Sequence, residues 1–199
     1  MRIEIRNNSV IISGYVTAVE RESRVMNSPQ GKFVEIVRSK TFQRALENAS
    51  NVDVLLNHNS SRKLGSTTEG NLILLEDNIG LRAMATITDI ETMQKAKENK
   101  LVGWSFGFQK NKDSWQPGEN GIQKRFLEDI NLLEVSILDN TKTPAYIGTS
   151  IESRENESIL IENRNIDDTT ELIDNTTEEK TEEPIDYSGI ENDLKILKA

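Results

Sequence analysis

The chain has one histidine, His58, and no cysteine among its 199 residues. Imidazole chemistry can therefore run only through His58, and thiol chemistry not at all. In Gly103-Trp104-Ser105-Phe106-Gly107-Phe108 the aromatic residues fill one strand face, and Ser105 lies on the other between two glycines. Glycine weakens a strand and often marks close approach of a ligand or a second backbone. A hydroxyl cleared of bulk on both sides suits an attacking nucleophile. Serine at its ordinary pKa needs a base within hydrogen-bond reach, and that base must be oriented by an acceptor, usually a carboxylate. In Leu132-Leu133-Glu134-Val135-Ser136-Ile137, Glu134 and Ser136 share one face and Leu133, Val135 and Ile137 the other. Glu134 is the first choice for the acceptor, with Asp129, Glu128 and Asp89 as alternatives. His58 follows Val54 and Leu56 on one face if its strand runs on. Each residue also has a plainer reading. A lone histidine in Asn-His-Asn is commonly a surface residue, a serine between glycines eases packing, and a glutamate in a strand commonly faces solvent.

The elements that must hold these residues are mostly strands. Arg2 to Val10, Val10 to Val19, Phe33 to Val37 and Val52 to Leu56 alternate or cluster apolar residues as strands do. Asn71 to Leu75 and Leu81 to Thr88 read as a hairpin, and Leu101 to Lys110, Ile122 to Ile130 and Leu132 to Leu138 as three further strands. Ser39 to Asn48, with Ser39 as cap, and Asp89 to Asn99 have helical spacing. The fold class expected is mainly β with peripheral helices (α+β), closed or nearly closed into a barrel. Trp104, Phe106 and Phe108 are expected in its core.

Residues 1–151 carry 19 basic and 18 acidic side chains and residues 152–199 carry 5 and 15, so the formal net charge of −9 belongs to the C-terminal segment. Two parts follow: a catalytic body over 1–151 and an acidic, largely disordered tail over 152–199. Ile190, Leu194 and Leu197 have the spacing of a short terminal helix. Without a basic stripe, nucleic acid is not an expected partner. Apolar runs are too short for a membrane span, and the first residues lack a signal peptide's apolar stretch, so residence in a cytoplasm is expected. Neither a cofactor nor a metal is expected. The run Gly-Trp-Ser-Phe-Gly fits the pattern of a nucleophile elbow, but strand-like residues follow it where the elbow requires a helix.

Several segments together carry a more specific signal: VLLNHNSSRKLGSTTEGNLILLEDNIGLRAMATI, VGWSFGFQ, and LLEVSILDNTKTPAYIGTSIESR, preceded by ISGYVTAVERES and FVEIVRSKTFQRAL. In this order, from about Ile11 to Arg154, they resemble the prohead maturation proteases of tailed bacteriophages, serine peptidases similar to the herpesvirus assemblin protease. The resemblance implies an assemblin-like β-barrel with Ser105 as nucleophile and His58 as general base. Assemblin-type enzymes use a second histidine as third member; here Glu134 corresponds best by order and spacing. The Asn140–Thr143 turn is a candidate for the oxyanion donors. The resemblance further implies cleavage of the capsid's scaffolding segment and of the protease itself inside the prohead, in a bacterial host cytoplasm. Its partners would be the major capsid protein and, as a homodimer, a second copy of the chain.

Overall fold

The computed structural model describes residues 1–28, 31–141, 149–154, 157–165 and 170–176. Strands β1 (Arg2–Ile5), β2 (Val10–Ala18), β3 (Met26–Ser28) and β4 (Gly31–Val37) lead into helix α1 (Thr41–Asn48). Strands β5 (Asp53–Leu56) and β6 (Asn59–Ser66) form one hairpin, β7 (Leu72–Glu76) and β8 (Gly80–Ile87) another. Helix α2 (Ile90–Lys97) precedes the two longest strands, β9 (Leu101–Pro117) and β10 (Gln123–Asp139). Strands β11 (Thr149–Arg154), β12 (Glu157–Asn165) and β13 (Glu171–Asp174) follow.

Period two makes the core. In β8, Leu81, Ala83, Ala85 and Ile87 are buried while Arg82, Met84 and Thr86 are exposed. Trp104, Phe106 and Phe108 of β9 are enclosed, as the alternation in the sequence implies. Phe106 stacks on Phe108 at 5.2 Å and meets the edge of Phe42 from α1 at 5.3 Å. Residues between these aromatics are buried too, so β9 is covered on both faces.

Two sheets share this core, ordered β13-β1-β2-β8-β7 and β11-β12-β9-β10-β4-β3. Strand β10 changes its parallel neighbour midway: Gln123–Leu127 pairs with β4, and Glu134–Ile137 pairs with β5. Register shifts lie between, at Leu127/Asp129, Asp129/Ile130 and Leu132/Glu134. Such bulges bend and twist a strand, and the sheet curls into a half-barrel. Helix α1 sits at the bend, where the Thr41 hydroxyl and the Arg44 guanidinium donate to the Glu128 carbonyl, Arg44 at 2.6 Å.

Several expectations need correction. Ladders end at β3, β6 and β11 in one sheet and at β7 and β13 in the other, so the closed barrel is not seen among the described residues. Ile122–Ile130 and Leu132–Leu138 are one bent strand, since a bulge and not a turn separates them. Ser39 does not cap α1: its amide donates to Glu20, and Lys40 takes the cap position at φ 66°. The Glu76 carboxylate instead accepts from the Lys40 and Gln43 amides at 2.5 and 2.8 Å, an anion on the helix N-terminus. Asp89 does cap α2, accepting from the Thr92 amide. In the segment expected to be disordered, β12 pairs with β9 and β13 pairs in parallel with β1, whose open edges supply the backbone partners that composition alone does not reveal. The expected helix near Tyr187–Ala199 lies outside the described residues.

Phe106→Ala is expected to lower unfolding stability by about 3–5 kcal/mol in urea titration. Met84→Ala, on the outer face of β8, is expected to stay within about 0.5 kcal/mol. Equal effects would contradict the assignment of faces.

Candidate active site

Asn57 and His58 form the two-residue turn between β5 and β6, each with φ 57°, and Leu56 pairs with Asn59 across it. Two successive left-handed residues make the hairpin turn whose twist matches its strands, and asparagine tolerates that conformation. His58 therefore leaves the alternation of the strand and does not continue the face of Val54 and Leu56. Positive φ is uncommon for histidine, and here the turn is over-determined by its docking on β10. The Asn57 amide donates to the Ile137 carbonyl at 2.9 Å, the His58 amide to Ser136 Oγ at 3.0 Å, and the Asp139 amide to Asn57 Oδ1 at 3.0 Å.

Asp139 anchors this dock. Its enclosed carboxylate accepts from Lys95 Nζ at 2.7 Å and from the amide and hydroxyl of Thr141 at 3.0 and 2.5 Å. Burial pushes its carboxyl up, but hydrogen bonds from Lys95, Thr141 and Asn57 outweigh burial and hold it far below the usual carboxylate range.

The docked turn brings the imidazole to Glu134. His58 Nδ1 lies 2.6 Å from Glu134 Oε1, and the Ser136 hydroxyl donates to Glu134 Oε2 at 2.7 Å. With Nδ1 facing a carboxylate, its proton sits on Nδ1, and Nε2 of the neutral ring carries the lone pair. Nε2 is buried and has no hydrogen-bond partner among the described residues. A neutral imidazole nitrogen in that condition has a lone pair free to accept a proton.

Ser105 pairs directly across β9 and β10 with Ser136, and Gly107 pairs with Glu134. Cross-strand partners project to the same face with Cβ atoms about 5 Å apart. Ser105, Ser136 and Glu134 thus share one face, and Gly107 puts no side chain beside Glu134. Ser105 is fully enclosed, with a relative exposure of 0%. Along its other edge β9 pairs with β12, where Asn165 is opposite Ser105.

Of the alternative acids, Asp89 and Glu128 are engaged elsewhere. Asp89 caps α2 and pairs with Arg62 at 3.0 Å. Glu128 pairs with Lys112 at 2.6 Å and accepts from the Ser114 hydroxyl, far from the turn, and Asp129 is its neighbour on that stretch of β10. Of the candidate oxyanion donors, the Asn140 amide donates to the Lys100 carbonyl and the Thr141 amide to Asp139, and Lys142 and Thr143 lie outside the described residues. Gly65, Arg62 and Lys63 lie on β6. A Cβ on Gly65, at φ 149°, would fall 1.9 Å from the Asn71 amide, which bridges Leu64 and Ser66. Asn57 and Ser136 belong to this cluster although neither is expected there from the sequence. An asparagine opening a two-residue gap between strand patterns was the available signal for Asn57.

The model of the family described as caudovirus prohead serine protease matches residues 1–163. Neither a curated protein nor a solved structure matches the chain.

With one histidine, ¹⁵N-histidine spectra of the protein contain a single ring system. At neutral pH that ring is expected as the Nδ1–H tautomer when uncharged, with a strongly downfield Nδ1 proton; an Nε2–H tautomer would contradict the site. Asp139 is depressed in the folded state, so its stabilisation is present above about pH 4 and lost as pH falls below it. Asp139→Asn is expected to reduce the acid dependence of unfolding over that range, measured by urea titration at several pH values.

Proposed function

We propose that this chain, which belongs to the caudovirus prohead serine protease family, is the serine endopeptidase of capsid maturation, cutting the scaffolding segment of the major capsid protein and itself inside the prohead. The observation that carries the reading is the hydrogen bond between His58 Nδ1 and Glu134 Oε1, on the strand face that also bears Ser105. Ser105 Oγ attacks the scissile carbonyl carbon as His58 Nε2 takes its proton. The tetrahedral intermediate collapses, the C–N bond breaks, and Nε2 returns the proton to the leaving amine. Water, deprotonated by the same nitrogen, then hydrolyses the acyl-enzyme and regenerates Ser105. Glu134 stays ionised throughout, holding the Nδ1–H tautomer and stabilising the imidazolium.

The enzyme works in the bacterial host cytoplasm, within the assembling shell, on protein partners and as a homodimer. Its acidic C-terminal segment contacts scaffold and is removed by self-cleavage. One observation favours a second reading. Ser105 and His58 Nε2 are both enclosed, which suits a non-catalytic capsid-assembly or scaffold-binding protein on the same fold.

Intact-mass measurement after expression with the major capsid protein separates the two. Wild type is expected to shorten the capsid protein and itself, and Ser105→Ala and His58→Ala to leave both at full mass, a loss of about 10³-fold or more. Glu134→Gln is expected to retain partial activity. Wild type that leaves every mass unchanged selects the assembly reading, and processing by Ser105→Ala removes the nucleophile assignment.

A further inference from the structure

Ser136 is wholly buried, with a relative exposure of 0%, and sits at the junction of every element of the site. It pairs with Ser105 across β9 and β10 and lies two residues from Glu134 on the same face. Its hydroxyl makes two hydrogen bonds whose directions are forced. The His58 backbone amide is a donor only, so Ser136 Oγ accepts from it at 3.0 Å. An ionised carboxylate is an acceptor only, so the single Ser136 proton goes to Glu134 Oε2 at 2.7 Å. Adding the 2.6 Å bond from Nδ1 to Glu134 Oε1 closes a ring that leaves His58 at its backbone and returns to His58 at its imidazole.

We propose that Ser136 is a positioning residue, a role that rests on the serine-protease reading. Its hydroxyl fixes the rotation of the Glu134 carboxylate and the height of the left-handed turn together, and so aims His58 Nε2 at Ser105. A carboxylate at the end of a glutamate rotates broadly about its last torsion. Holding Oε2 leaves Oε1 as the oxygen that meets Nδ1. Holding the His58 amide also gives a partner to a donor that the tight turn would otherwise bury unpaired. In an enclosed position, water cannot readily replace the hydroxyl. The same group therefore serves orientation and satisfaction at once, and removing it loosens both ends of the ring.

Ser136→Thr and Ser136→Val have nearly the same shape and differ in the hydroxyl, which makes them the decisive pair, with Ser136→Ala as a smaller control. All are compared with wild type by urea titration, by the rate at which a fluorophosphonate labels Ser105, and by the Nδ1 proton of His58 in NMR. Ser136→Thr is expected to label within about 3-fold of wild type and to keep the downfield proton. Ser136→Val and Ser136→Ala are expected to label about 10–100-fold more slowly, the range seen when an outer hydrogen-bond partner of a metal-ligating histidine is removed, and to lose that proton. Folded Val and Thr variants with equal rates and equal proton signals would overturn the role of Ser136 while leaving the protease reading intact. Wild type that is not labelled at Ser105 overturns both.

Discussion

A hydrogen bond of 2.6 Å between the chain's one imidazole and the Glu134 carboxylate is the constraint around which the curled sheet is organised. Glu134 comes from β10 and His58 from a turn 76 residues earlier in the chain. Bringing them together requires β5 to lie beside the second half of β10, and that place is open because β4 stops pairing at Leu127. The bulges near Asp129 and Leu132 bend β10 between its two parallel neighbours. Helix α1, which joins β4 to β5, occupies the bend. Fold and site are therefore one problem: the switch of neighbour that curls the sheet is also what delivers the histidine.

Around that bond the polar groups are arranged to be satisfied. Asn57, His58, Ser136 and Asp139 exchange hydrogen bonds along the end of β10, and Lys95 from α2 neutralises Asp139 from behind. This matters because a glutamate and a histidine with side chains only 10% and 16% exposed are expensive to bury unless every lone pair and proton is placed. His58 Nε2 is the atom of this cluster left over. The chain itself belongs to the caudovirus prohead serine protease family.

The parts of this arrangement visible in the sequence were those set by local periodicity. Alternation exposed the faces of β2, β8 and β9, and placed Ser105 opposite the aromatic face and Glu134 beside Ser136. The Asp89 cap of α2 is a local pattern and was equally visible. Long-range choices were not. Nothing near Ser39 reveals that Glu76 will reach the N-terminus of α1, or that open edges of β9 and β1 will take up residues from the acidic segment. His58 itself was misplaced on a face, because period two fails at a turn with positive φ. That any imidazole chemistry must run through His58 was nonetheless legible from composition, since no other residue could supply an imidazole.

The most direct measurement follows the fluorophosphonate labelling of Ser105 against pH in parallel with the NMR titration of His58. The account predicts labelling at Ser105 alone, with a rate that rises as His58 loses its proton and with the same midpoint in both experiments, and no such rise in His58→Ala. Labelling at a different residue, or a rate indifferent to the titration of His58, would contradict it.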